Sequence, residues 1–249
     1  MNNDQLIQRM PAFNRRLDFA RRIIKDALDG SAKPYLSWST GKDSTAMLAL
    51  VAEQCPGVRI MRYDSGYELP ENNEYAKYVM DLLGISQAQV DIVRPPCDPF
   101  DAKIEAGYFD LAAVAKVNER VMMKPITAWA AEGKYDLAFI GLRKEESRAR
   151  RMMTKTQGQL HYCKKNKIMQ CYPMANFRAE EIFGVLNYYG IEPHPVYKKT
   201  KFQPREWVRV NWLIVSAGAE RGTLAWLQYY YPDIFAKLSD KLPEMRGYI

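Results

Sequence analysis

The chain has 249 residues, of which 47% are hydrophobic and 26% charged, and its formal charge is +7. That length and apolar content suit one large globular domain, or one domain with a small appendage, and exclude a disordered or disulfide-stapled chain. The longest apolar run, Ala46 to Ala52, has seven residues, against the roughly 18 needed to cross a bilayer.

No membrane partner is expected. The start, Met1-Asn2-Asn3-Asp4-Gln5, lacks the basic and apolar regions of a secretory signal, so a cytoplasmic protein is expected. The four cysteines at 55, 97, 163 and 171 contain no C-x-x-C pair, which fits reduced thiols.

In chain order, Leu6, Met10, Phe13, Leu17, Ala20, Ile24 and Leu28 fall at three- and four-residue steps. They predict one long helix over 4–29, stopped by Gly30. Pro34 to Trp38 reads as a strand, Ser39 to Asp43 as a turn, and Ser44 to Gln54 as a buried helix. Val58 to Tyr63 and Gln89 to Val93 read as strands flanking a helix over Pro70 to Leu83. Helical segments continue to about Glu132, and a fourth strand follows from Asp136 to Ile140. Strands separated by helices of this length predict an α/β fold: a parallel sheet with helices on both faces. Beyond Arg143, a basic helix is expected over Glu145 to Met153, and a hairpin over Leu160 to Tyr172 turning at Lys165-Asn166. In that hairpin Cys163 faces Ile168 and Cys171 faces Leu160, so the two thiols are not cross-strand partners. A helix over Arg178 to Tyr189 follows, and 204–238 reads as mostly helical.

The charge is concentrated. Between Arg143 and Lys167 stand nine basic and two acidic residues, a local +7 that equals the imbalance of the whole chain. Such an island is either a solvated helix face or an anion site; a nucleic-acid coat would be more diffuse.

The sharpest feature is Ser39-Thr40-Gly41-Lys42-Asp43-Ser44, set between a strand and a helix. At such a place backbone N–H groups and the positive end of the helix dipole meet an anion at the C-terminal edge of a parallel sheet. Ser39, Thr40 and Ser44 can donate hydroxyl hydrogen bonds, Lys42 can neutralise charge, and Gly41 is expected to permit the tight turn. It is not a Walker A loop: Leu36 stands where that motif needs Gly, and Asp43 follows the lysine where it needs Ser or Thr.

Trp38 to Ser44 resembles the Ser-Gly-Gly-Lys-Asp-Ser loop of the PP-loop nucleotide α-hydrolases, with Thr40 in place of the first Gly. Three later segments resemble the phosphoadenosine phosphosulfate (PAPS) reductase and sulfate adenylyltransferase small-subunit branch of that superfamily. Tyr63-Asp64-Ser65-Gly66-Tyr67-Glu68-Leu69-Pro70-Glu71 is similar to its Asp-Thr-Gly-Tyr-x-x-Pro-Glu. Gly141-Leu142-Arg143-Lys144-Glu145-Glu146-Ser147-Arg148, continued by Ala149-Arg150-Arg151, is similar to its Gly-x-Arg-x-x-Glu-Ser-x-x-Arg. Tyr172 to Phe177, followed by Pro193 to Tyr197, is similar to its Pro-Leu-x-x-Trp and Pro-x-x-x-Leu-Tyr. Together these cover roughly residues 34–200.

The resemblance implies a Rossmann-like adenine nucleotide α-hydrolase fold for a nucleotide-binding domain (31–200), to which the helical patterning adds an N-terminal helix packed on the core (1–30) and a helical C-terminal extension (201–249). It implies an adenine nucleotide held by Ser39, Thr40, Gly41, Lys42, Asp43 and Ser44, with Asp64 and Gly66 passing close to it. Gly141, Arg143, Glu146, Ser147 and Arg148 would close over the phosphates, with Lys42, Asp43, Arg143 and Arg148 as the catalytic set. Asp64 could instead cap the helix near Pro70, and Glu146 could be either the orienter of an arginine or an i,i+4 partner of Arg150.

PP-loop enzymes generally cleave ATP between the α and β phosphates with Mg²⁺, so ATP pyrophosphatase and adenylyl-transfer activity toward an unknown acceptor is the leading expectation. PAPS reductases instead bind an adenylyl sulfate or PAPS and attack its sulfur with a thiolate from a C-terminal Glu-Cys-Gly-Leu-His motif. No cysteine follows Cys171 here, which counts against that activity unless Cys163 or Cys171, in a basic setting expected to lower a thiol pKa, substitutes. A zinc site from His161, Cys163, Cys171 and His194 has none of the usual spacings, and no iron–sulfur cluster is expected from thiols so far apart. Lys164, Lys165, Lys167, Lys198, Lys199 and Lys201, interleaved with Tyr162, Tyr197 and Phe202, leave open a nucleic-acid partner and a non-catalytic sensor role. Trp226, Tyr229, Tyr230, Tyr231 and Phe235 read as a packing or self-association surface, or as a base-stacking lid; a homodimer or a partner subunit is left open as well.

Overall fold

A computed structural model describes residues 3–108, 110–210 and 222–248. By their contacts they fall into two units, the first from 1–62, 72–92 and 129–194, the second from 63–71, 93–128 and 195–249.

The first unit is built on the sheet. Its strands are β1 (Pro34–Ser37), β2 (Arg59–Tyr63), β3 (Val90–Val93), β4 (Leu137–Ile140), β5 (Leu160–Cys163) and β6 (Ile168–Cys171), in the order β3-β2-β1-β4-β6-β5. β1 pairs in parallel with both β2 and β4, and β4 with β6, while β5 closes the edge antiparallel to β6. The hairpin register is the expected one, Cys163 opposite Ile168 and Leu160 opposite Cys171. The chain runs outward from β1 through α3 (Lys42–Gln54), β2 and α4 (Asn72–Leu83) to β3, then returns to β4 on the other side of β1. Right-handed crossovers therefore place α3 and α4 on one face and, within this unit, the segment from Trp129 to Glu132 on the other. On that second face Trp129 stacks on Tyr135, centroids 4.6 Å apart, and meets Tyr35 edge-on. The expected parallel α/β architecture is thus present, and the reversal of direction between β1 and β4 makes a switch point at their C-terminal ends.

The single long N-terminal helix is not. It is two helices, α1 (Asn3–Gln8) and α2 (Pro11–Asp29), because Pro11 has no N–H to donate and occupies the first turn of a new helix. The break resets the buried face. Ile7, not Leu6, is inside, Met10 is exposed, and burial then follows Phe13, Leu17, Ala20, Ile24 and Ala27. α1 packs on α9 (Ala179–Tyr188), where Gly184 leaves room for Ile7 and its carbonyl accepts from Gln8 Nε2 at 3.0 Å.

The second unit contains α5 (Pro99–Glu105), α6 (Leu111–Asn118) with a π-helical turn after it, most of α7 (Lys124–Glu132), and α10 (Thr223–Tyr230) beside α11 (Pro232–Lys241). Within it Lys199 Nζ reaches Glu71 at 2.6 Å and the Tyr231 hydroxyl at 2.7 Å, and Trp226 Nε1 donates to the Lys199 carbonyl. Of the C-terminal aromatics, Trp226, Tyr231 and Phe235 are buried packing residues, whereas Tyr229 is exposed. The mostly helical reading of 204–238 holds for α10 and α11; residues 211–221 lie outside the described residues. Among the described residues no helix is long and apolar enough to cross a membrane.

Lys103 of α5 is 2% exposed, and burial lowers its pKa to about 8 from an ordinary 10.5. Between those values the unfolded chain binds more protons than the folded one, so stability rises with pH across that window. Lys103→Met is expected to raise Tm at pH 7, with the gain shrinking by pH 10. Melting curves of both proteins at the two pH values check this; an equal gain at both would mean that the lysine charge is not the cause.

Candidate functional site

The loop between β1 and α3 is held by its own side chains. Ser39 N–H donates to Ser44 Oγ at 3.1 Å, the two hydroxyls lie 3.0 Å apart, and Ser44 Oγ reaches the Gly41 carbonyl at 3.1 Å. Beneath it, Trp38 Nε1 donates to Thr45 Oγ1 at 3.0 Å in a fully buried contact. The positive φ that the turn requires falls on Thr40, at 60°, and not on Gly41, whose φ is −70°. The expectation that Gly41 supplies the turn is therefore corrected. A left-handed residue is easiest as glycine, which explains why the related pattern has Gly where this chain has Thr40. Thr40 Oγ1 donates to the Ser39 carbonyl at 2.6 Å.

Asp43, in the first turn of α3, is the centre of the charge arrangement. One carboxylate oxygen accepts from Lys42 Nζ at 2.7 Å, and the other from Arg143 Nε. Both cations are only 4% exposed. Arg143 also pairs through Nη1 with Glu145, which accepts the Ala179 N–H at 2.7 Å. Burial works against the Arg143 charge, but Asp43, Glu146 and Glu145 more than offset it, so its pKa lies above the ordinary value. Glu146 is the i,i+4 partner of Arg150, and it also accepts the Arg143 backbone N–H at 3.0 Å. Ser147 caps α8 (Arg148–Gln157) by accepting the Arg150 N–H at 3.1 Å, and Arg148 is exposed at its start.

Gly141 closes the gap between β4 and α3. A Cβ added there would stand 2.9 Å from Ser44 Cα and N and 3.1 Å from the Asp43 carbonyl carbon. Ser39 to Ser44, Gly141, Arg143 and Glu146 thus form one constellation at the β1/β4 switch point, where open α/β sheets bind their ligands.

Asp64 and Gly66 belong to the second unit. Asp64 is not a cap for α4, which starts at Asn72. It folds its own turn instead, accepting the Gly66 N–H at 3.0 Å, with Gly66 at φ 81°, and pairs with Arg94 at 3.1 Å.

All four cysteines are free thiols. Burial pushes the Cys171 thiol up to about 12, so the basic neighbourhood does not activate it. His161 lies against Tyr172 and His194 against Tyr75, and among the described residues no three metal-ligating side chains gather. Both oxygens of Asp43 are engaged by cations, so the loop carboxylate does not fit a resident Mg²⁺.

Glu145 is the member that the sequence reading missed. Its only sequence signal was its place beside Glu146; its role comes from α9, 34 residues away along the chain.

A family model for the phosphoadenosine phosphosulfate reductase domain matches residues 33–230. A phosphoadenosine 5'-phosphosulfate reductase of Sodalis glossinidius is 24% identical over 169 residues, 66% of this chain and 65% of that protein. The chain thus spans about two thirds of the length of that curated relative. Similar solved structures include a PAPS reductase from Candida auris in complex with phosphate, at TM-score 0.55 and 13% identity, covering 72% of this chain and 83% of that one. The U34-tRNA thiolase NcsA of Methanococcus maripaludis, with its 4Fe–4S cluster, gives 0.54 and 16%, over 94% and 79%. An NH3-dependent NAD synthetase of Campylobacter jejuni gives 0.51 and 16%, over 99% and 97%. At these identities the structures share a fold.

Gly141→Ala is expected to lower stability by about 1–3 kcal/mol, because backbone on both sides must move to admit the methyl. Gly57→Ala, with open space around it, serves as the neutral control in the same thermal melts.

Proposed function

Since the chain belongs to the phosphoadenosine phosphosulfate reductase domain family, we propose that it binds an adenine nucleotide at Ser39–Ser44 and cleaves ATP between the α and β phosphates, passing the adenylyl group to an acceptor. The single observation that carries this reading is the placement of two buried cations, Lys42 and Arg143, around Asp43 at the mouth of a serine- and threonine-lined loop.

In this reading the first-turn N–H groups of α3, the loop hydroxyls and the helix dipole hold the phosphates. A nucleophile of the acceptor forms a bond to the α-phosphorus as the bond to the bridging oxygen breaks, and pyrophosphate leaves with the electron pair. Lys42 and Arg143 offset the charge that develops on the leaving group, in a place already fixed by Asp43 and Glu145, so little reorganisation is needed. Mg²⁺ would arrive as the nucleotide's own counter-ion and lend it further charge neutralisation. Asp64, Gly66, Ser147 and Arg148 are assigned to the same nucleotide by resemblance.

The thiol-dependent alternative, reduction of an adenylyl sulfate, finds less support: Cys171 is buried with a raised pKa. Reduced thiols fit a cytoplasmic setting.

The test is pyrophosphate release from ATP and Mg²⁺ with a panel of acceptors, wild type beside Lys42→Ala. Release that falls about 100-fold or more in the variant is expected, the scale of losing one charge-stabilising donor. ATP that binds without release, together with sulfite formation from an adenylyl sulfate and a thiol donor, would replace this reading with the reductase one.

A further inference from the structure

Two adjoining hollows in the first unit, of about 210 and 500 Å³, share Arg16 and Asn176 in their walls. They lie toward the C-terminal edge of the sheet, where the chain leaves β4 and β6 and where the N-terminal half of α2 passes. Four cations line them: Arg15 and Arg16 from α2, Lys144 after β4, and Arg178 before α9.

Two of these cations are held in place by contacts in or behind the walls. Arg16 is fixed by Glu181 at 2.6 Å, and Glu181 also accepts the Arg178 N–H at 2.8 Å. Lys144 Nζ donates to Asn176 Oδ1 at 2.8 Å, and Asn176 in turn donates to Gln159 at 2.8 Å. Arg15 and Arg178 are exposed. Against the four cations stand Glu145 in the wall and Glu181 behind it, which leaves two positive charges. Phe19, 38% exposed, adds a ring to one wall.

Arginine forks and a lysine on one concave wall suit a phosphate, which takes bidentate, charge-assisted bonds; two net positive charges match its dianion. The hollow touches the nucleotide constellation through Glu145, which lines it and pairs with Arg143. We propose that this hollow is the acceptor subsite, and that the acceptor is a small phosphomonoester with an aromatic or other flat apolar portion that can rest on Phe19. The acceptor role rests on the adenylyl-transfer reading; the binding of the phosphomonoester does not.

Phenyl phosphate is the probe, titrated into the full chain at low ionic strength by calorimetry. Wild type is expected to bind it, and the Arg15→Ala/Arg178→Ala double variant to bind at least about fivefold more weakly, in keeping with two lost charge-assisted contacts. Benzoate, with one negative charge, is expected to bind more weakly than the phosphate. Both arginines are exposed, so the variant is expected to melt like wild type, which the same sample shows. No binding by wild type, or binding unchanged in the double variant, would overturn the proposal. Binding that follows the two arginines in a chain that releases no pyrophosphate would sink the transfer reading and leave a phosphate site. Pyrophosphate release without such binding would sink the subsite alone.

Discussion

Everything at the switch point depends on one carboxylate shared by two buried cations. Asp43 receives Lys42 from its own helix and Arg143 from the far side of the β1–β4 pair. Removing one member of such a buried group typically costs about 3–5 kcal/mol, because the remaining charges are left in a poor solvent. The arrangement therefore fixes two flexible side chains where a polyanion can meet them. It also ties the first turn of α3 to the exit of β4, and Gly141 is the residue small enough to let them meet.

The same logic extends outward from Arg143. Glu145 links it to the N-terminus of α9, and Glu146 links its backbone to the basic helix α8. The concentration of positive charge after Arg143 is thus divided. Arg143 is buried in the constellation and Lys144 lines the neighbouring hollow, while Arg148, Arg150 and Arg151 remain on the exposed face of α8. The solvated-face reading describes the α8 part of that segment.

Much of this was legible in the sequence, for identifiable reasons. The first four strands are short segments set between turn residues and helices, and the hairpin register follows from alternation about Lys165-Asn166. The loop was legible because its polar string stands between a strand and a helix. The failures have physical causes as well. Periodicity ran through Pro11 without registering its missing donor, so one helix was read for two and the wrong face was assigned to Leu6 and Met10. The left-handed residue was placed on the only glycine in the loop, while the backbone places it on Thr40. Nearby basic residues suggested a lowered thiol pKa, but desolvation governs Cys171. Arg15, Arg16 and Arg178 gave no signal at all, since they look like ordinary solvated residues until α2, the β4 exit and the turn before α9 are brought together.

The most direct test is a crystal structure with α,β-methylene-ATP, which cannot be cleaved at the bond in question. The account predicts its phosphates within hydrogen-bonding distance of the Ser39–Ser44 backbone and hydroxyls, with Lys42 and Arg143 turned to them. A nucleotide bound elsewhere, or one whose phosphates lie out of reach of Lys42 and Arg143, would contradict it.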